Sequence, residues 1–292
     1  MKRYIITIIC LTTLGTLLGT GAKAQLSPMK SQYFQNPYLV NPAMAGYSGK
    51  TSVFANYANQ WNKIDGSPVM MSLSLSSPIT ENAALGINYI SDQAGLVNRS
   101  QAMGTFAYKV KLAEEHNVRF GVSLSWSQDR LDQAEATSNG DNDPALNKYN
   151  ERQSYLDGNF GVAYIGKRLE AQFSYLNLNQ KRQNQFSTVD YSTFYSAISY
   201  KIDLEPSRVF SVKPLLAYRG VKGYDNQWDA AAEWSADQLK FYTMYHSNKS
   251  FSGGVGFTYL QKLVISCMYS TEPQGLQGMT GGQFDVVLGY QF

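Results

Sequence analysis

Beyond its first two dozen residues the chain lacks any long apolar run, which removes one of the two ways a polypeptide can span a bilayer. A spanning helix needs about 20 consecutive apolar residues. The nearest approach, Tyr4 to Leu18, is short, is preceded by Lys2 and Arg3, and runs into Gly15, Gly19 and Gly21. With Ala22-Lys23-Ala24 behind it, this stretch reads as an export signal removed after residue 24 rather than as an anchor. Cysteine is equally scarce. Cys10 lies inside that signal and Gln25 follows the cleavage site, so a lipid-anchored amino terminus is not expected. Cys267 is then the only thiol of the mature chain, an internal disulfide is excluded, and hydrogen bonding and burial must hold the fold.

Histidine and strong charge are also missing. His116 and His246 are the only two histidines and neither has the local spacing of a metal site. No nucleophile elbow accompanies them, so no enzymatic activity, no metal and no cofactor are expected. One catalytic arrangement stays open, a pairing of His246 with a distant serine. Lys and Arg total 25 against 22 Asp and Glu, and this balance of +3 with a pI near 8.6 is too mild to point to nucleic acid. The acidic stretch Asp129–Gln153 contains Asp141-Asn142-Asp143 but lacks the glycine and later glutamate of a calcium loop, and reads as a solvated loop.

What the chain has is aromatics: 21 Tyr and 14 Phe, with 24 Gly, 16% charged residues and a mean hydropathy of -0.30. From residue 50 onward it alternates. In Val118 to Ser127, Val118, Phe120, Val122, Leu124 and Trp126 fall on one face, and Arg119, Gly121, Ser123, Ser125 and Ser127 on the other. Val69, Met71, Leu73 and Leu75 alternate with Met70, Ser72, Ser74 and Ser76, and Trp228 to Trp234 alternate with Gln227, Asp229, Ala231 and Glu233. Tyr191–Leu204 and Leu239–His246 are apolar on both faces, so their orientation is open. Segments of about ten residues with one apolar face are what tilted membrane strands require. The expected fold is an all-β, antiparallel outer-membrane β-barrel of about 14 strands spanning residues 50–292, behind a short irregular or helical segment, 25–49.

The connections support this reading. Pro78–Asn82, Ala113–Asn117, Gly166–Arg168, Leu204–Ser207, Ser235–Asp237 and Leu260–Lys262 are short. The intervening links, Asn62–Ser67, Ser91–Arg99, Asp129–Gln153, Leu178–Thr188, Gly220–Asp225, Ser247–Ser250 and Thr271–Gly281, are generally longer. Outer-membrane barrels alternate in this way between periplasmic turns and outer loops. The last strand, Phe284 to Phe292, resembles the terminal strand read by the barrel-assembly machinery, which makes Tyr290 and Phe292 the candidate assembly signal.

Ahead of the barrel, Asn41-Pro42-Ala43-Met44-Ala45 has a capping Asn and a Pro suited to the first position of a helical turn, which Gly46 would end. Ser31-Gln32-Tyr33, Asn36-Pro37, this Asn-Pro turn, Asn59-Gln60-Trp61, Gly66-Ser67-Pro68 and Asp92-Gln93-Ala94-Gly95 together resemble the PorP/SprF family of the Bacteroidota. Met44 departs from it, standing where an aromatic is often found. The resemblance implies an outer-membrane component of the type IX secretion system that supports export or surface attachment of adhesins. Its implied partners are outer-membrane lipid, periplasmic and outer-membrane secretion components, a secreted adhesin and the barrel-assembly machinery. Tyr33, Phe34, Tyr38 and Met44 are the candidate docking side chains, and segment 25–49 is expected on the periplasmic side, either packed on the barrel end or acting as a plug or docking element. The alternative function is a channel or transporter for small or hydrophobic solutes.

Overall fold

The computed structural model describes residues 31–61, 66–131, 150, 154–179, 193–204, 210–221, 226–274 and 277–292. The export signal expected at 1–24 and the Asp141-Asn142-Asp143 stretch lie outside the described residues. After residue 51 the described chain is strand and connection. The strands are β1 (Ser52–Gln60), β2 (Val69–Pro78), β3 (Ala83–Ala94), β4 (Val97–Ala113), β5 (His116–Leu131), β6 (Tyr155–Ile165), β7 (Leu169–Leu176) and β8 (Thr193–Tyr200). They continue as β9 (Ile202–Asp203), β10 (Phe210–Val221), β11 (Gln227–Ala236), β12 (Leu239–His246), β13 (Phe251–Tyr259), β14 (Leu263–Ser270) and β15 (Gln283–Gln291).

Successive strands pair antiparallel, and β15 pairs with β1 along its whole length, Ser52 opposite Gln291 and Gln60 opposite Gln283. The sheet therefore has no free edge, the condition a strand protein must meet in lipid. β8 and β9 are one stave. Both lie against β10 in a single register, Ser199 opposite Leu215 and Ile202 opposite Val212, and the gap between them faces Lys213 and Pro214, where proline has no N–H to donate. Counting that pair once, the fifteen segments make a closed barrel of fourteen staves.

Period-two alternation sets the faces. Phe120, Val122, Leu124 and Trp126 point outward, while Arg119, Ser125 and Ser127 are buried inside. Met71, Leu73 and Leu75 are outward against inward Met70, Ser72, Ser74 and Ser76, and Trp228 and Trp234 mark the two ends of the outward face of β11. Cys267 lies on the outward side of β14 with Ile265 and Tyr269. The strands apolar on both sides resolve too: Tyr195 and Ala197 of β8, and Tyr242 and Met244 of β12, face inward, with Ile198, Phe241 and Tyr245 outward.

Short turns at 79–82, 114–115, 166–168, 237–238 and 260–262 lie at the end where β1 starts and β15 stops. One expected long link is corrected. Ser91–Arg99 is not a loop, because β3 runs to Ala94 and β4 starts at Val97, leaving Gly95 (φ 54°) and Leu96 as a two-residue turn. The polar residues that read as loop are paired strand: Asp92 faces Arg99 in register, and the Arg99 guanidinium grips the Asp129 carboxylate of β5 at 2.7 and 2.8 Å.

Candidate functional site: the occupied lumen

The barrel's interior is occupied by its own amino-terminal segment. Residues 31–45 form a one-turn helix, α1 (Gln32–Gln35), then 3-10 turns at Pro37–Leu39 and Pro42–Met44. Both turns begin at an Asn-Pro step. Proline fixes its own φ and drives the residue before it out of the helical region, and Asn36 (φ -128°, ψ 83°) and Asn41 (φ -142°, ψ 109°) sit accordingly. The Asn41 carboxamide oxygen accepts the Ala43 N–H at 3.0 Å, capping the second turn, and Gly46 reverses the chain at φ 63°.

The wall holds this segment through buried polar contacts along its length. Ser31 Oγ donates to Asp285 Oδ2 (2.5 Å) and Tyr33 Oη to Asp229 Oδ2 (2.8 Å), both on β-strands near the long-loop end. Asn36 Nδ2 donates to Ser74 Oγ (2.9 Å) and Tyr38 Oη to Thr105 Oγ1 (2.8 Å). Near the short-turn end, Ser174 Oγ donates to the Val40 carbonyl, Asn41 Nδ2 reaches Gln172 Oε1 (3.3 Å), and Arg119 Nε and Nη2 donate to the Ala43 and Ala45 carbonyls at 2.8 and 2.6 Å. Carbonyls that a helix or sheet would have satisfied are thus satisfied by wall side chains.

Close approach requires missing side chains. A Cβ on Gly86 would enter the Tyr38 ring, one on Gly121 the backbone of Pro42-Ala43, and one on Gly161 the Asn41 carboxamide. Ala84, Ala107 and Ala163 complete the floor and pack with Tyr38, Ala43, Met44 and Ala45. Across the lumen the packing is aromatic: Tyr33 meets Tyr195 edge-on at 5.3 Å, Phe34 meets Tyr242 at 5.7 Å, and the Arg219 guanidinium lies 5.4 Å from the Tyr33 ring. Burial pushes the Tyr38 hydroxyl up to about 12, so it remains a donor at neutral pH.

Asp229 gathers a cluster. Beside Tyr33 it receives Arg219 at 3.3 Å and His246 Nδ1 at 2.6 Å, and His246 Nε2 lies 2.7 Å from Ser252 Oγ. Asp, His and Ser stand in the order of a hydrolase triad, though the serine is six residues from His246 and not the distant one that the sequence left open. Their surroundings tie them to the segment. Ser252 is fully buried and shares its hydroxyl with Ser270 Oγ at 2.6 Å, and residues 252–254 lie in ladder register with both β12 and β14. The cluster is a lock on Tyr33. His116 does not join it; it is exposed at the start of β5 with Nδ1 2.6 Å from Tyr164 Oη.

The docking side chains expected from the sequence are placed together, but inward. Tyr33, Tyr38 and Met44 are at most 7% exposed and Phe34 is half-buried against Tyr242. While the segment is seated they are not offered to a partner, because the lumen wall already covers them. Met44, standing where an aromatic was expected, fills the alanine floor. At the other end of the chain, Tyr290 faces outward on β15 and touches Phe292 at 4.9 Å; Phe292 is exposed, its N–H held by the Thr51 carbonyl. The residues that sequence reasoning missed are the receivers: Arg119, Asp229, Asp285, Ser174 and the three glycines. Glycine on an inward face was the one available signal.

The family described as type IX secretion system membrane protein PorP/SprF matches residues 22–290. The chain belongs to the PorP/SprF family. No curated protein matches the sequence. Among solved structures, the chain resembles the CymD monoaromatic hydrocarbon channel over 94% of its own length and 95% of that chain, at 13% identity and a TM-score of 0.52. It also matches Omp33 of Acinetobacter baumannii (5% identity, 83% and 97% covered, TM-score 0.49) and a FadL homologue of Pseudomonas aeruginosa (12% identity, 86% and 93% covered, TM-score 0.48). At these identities the likeness is one of fold. This PorP/SprF chain is a closed outer-membrane barrel of a Gram-negative cell, a membrane component of the type IX secretion system.

Proposed function

We propose that this barrel serves type IX secretion as a non-enzymatic docking component that supports export or surface attachment of a secreted adhesin. The observation that carries the reading is the occupied lumen. Seven wall side chains, Asp285, Asp229, Ser74, Thr105, Ser174, Gln172 and Arg119, hold the chain's own segment across the passage, so the resting barrel presents rims to partners rather than an open pore. Tyr33, Phe34, Tyr38 and Met44 contribute by seating that segment. What it offers outward is its exit, Ser48 to Lys50, exposed at the short-turn rim where periplasmic secretion components approach, while the Tyr47 ring lines a cavity with Glu170, Lys213 and Glu233. Tyr290 and Phe292 serve recognition by the barrel-assembly machinery.

The test is a rim variant, Ser48→Glu with Lys50→Glu. It is expected to keep the heat-modifiable mobility of a folded barrel while losing co-purifying secretion components and surface display of the adhesin. Full partner recovery and full display by the folded variant would remove this rim from the mechanism.

A further inference from the structure

The segment that fills the lumen is bonded to it like a ligand, and the wall beneath it has the chemistry of a water-filled passage. The side chains lining that wall include Asn56, Ser72, Ser74, Asn88, Thr105, Ser125, Asn159, Ser174 and Asp285, all buried, with Met70, Tyr195, Tyr242, Met244 and Met268 among them. Membrane barrels have polar interiors both as channels and around plugs, and this plug is held by separable hydrogen bonds. Packing is also incomplete. Asn88 is fully buried, yet neither its amide nitrogen nor its oxygen has a partner among the described residues, and the same holds for both side-chain atoms of Gln35 in α1. Neither wall nor segment satisfies these amides, so the seat is loosely packed at these points. On the opposite side, a cavity of about 180 Å³ already opens between the segment and β10–β13. A turn adjoins the segment: Gly49 (φ 72°) stands in open space, a Cβ there meeting nothing within 4 Å, whereas Gly46 (φ 63°) is packed, a Cβ there falling 2.6 Å from Ala84 Cβ.

We propose that residues 31–45 are a displaceable gate, and that the barrel with its gate withdrawn is a pore for small hydrophilic solutes. The wall sets the solute class: hydroxyl and carboxamide groups on one arc replace water around a sugar-sized molecule, and Tyr195 and Tyr242 on the other offer ring faces to its C–H side. The segment swings on the exposed turn at Gly49, and its release breaks the Tyr33–Asp229 and Arg119–carbonyl contacts. The proposal concerns the lumen and stands apart from docking at the rim, so either reading can fail alone.

The experiment uses the full mature chain. Gly121→Leu places a side chain where the backbone of Pro42 and Ala43 now lies, since even a Cβ there would overlap Pro42 C, Ala43 N and Pro42 O. Displacement is read independently with Ala43→Cys in a Cys267→Ala background, labelled by a membrane-impermeant maleimide. The native barrel is expected to label slowly and stay closed in planar bilayers in potassium chloride. The Gly121→Leu barrel is expected to label fast, with open probability raised about tenfold or more, and to admit arabinose in a liposome-swelling assay. Fast labelling without added conductance overturns the pore. Conductance without arabinose entry overturns the solute class. A barrel that still labels slowly overturns the gate. Should Gly121→Leu lose the heat-modifiable barrel, Arg119→Gln is read by the same three outcomes.

Discussion

Two stretches of wall face the same lumen and treat it differently. Along β3–β7 small inward residues make a floor, and the amino-terminal segment lies directly on Gly86, Gly121, Gly161 and three alanines. Along β10–β13 they are long: Lys213 reaches Glu170 at 2.8 Å, Lys240 reaches Glu233 at 3.0 Å, and Tyr242 leans over them beside open space. On the first wall the occupant is backbone, and on the second it is the Tyr33 and Phe34 rings, with paired charge and an open cavity beside them. The difference teaches that the absence of side chains on one arc, with donors such as Arg119 and Ser174 at its margins, decides on which side of the barrel the segment settles.

The largest test of that contrast is Arg119→Ala, which leaves the Ala43 and Ala45 carbonyls buried without their charged donor. Hydrogen bonds to charged groups contribute about 1.5–3 kcal/mol each, so seating of the segment is expected to weaken by about 3 kcal/mol or more. Protease protection of residues 31–45 checks this, and unchanged protection would place the hold elsewhere. Leu124→Arg should cost the barrel about 2–4 kcal/mol in reversible lipid folding, since Leu124 faces lipid near mid-strand. Its neighbour Ser123 lies 2.8 Å from Thr105 Oγ1, which holds Tyr38. Ser123→Arg should therefore unseat the segment while leaving most of the barrel's folding stability intact.

A smaller effect follows from pH. The Tyr38 hydroxyl is raised by burial from about 10 to about 12, so the seated state keeps a proton that the released state gives up between those values. Its contribution to seating is complete below about pH 10 and lost as pH rises through about 12. Conductance titrated over that range is expected to rise, and Tyr38→Phe should flatten the step. On the open wall, Lys240→Ala is expected to change stability by about 0–1 kcal/mol at most, because the pair is partly exposed and screened. A loss as large as that of Arg119→Ala would erase the distinction between the two arcs.

How far this was legible in sequence follows the range of the interactions. Faces of β2, β5 and β11 were readable because period two is local, and so was the alternation of short and long links. β8 and β12 were not, since their inner faces carry Tyr195, Tyr242 and Met244, which look like lipid-facing residues until α1 is seen packed on them. Ser91–Arg99 misread as a loop because the β3–β4 hairpin is polar at its tip and held by Arg99 and Asp129 rather than by lipid. The Asn41-Pro42 turn was visible in full. Its destination was not, because Tyr33 and Asp229 are separated by 196 positions and nothing local records their meeting.

The contact between Ser31 and Asp285 joins positions 254 apart, one ahead of the first strand and one on the last. Closure of the sheet gives this a temporal meaning. Asp285 lies on the strand that pairs with both β14 and β1, so the seat is complete only once β15 has zipped against β1. Until then the segment lies loose, or rides inside a half-built curl that shuts around it. Either way, its seating marks that the ring has been completed.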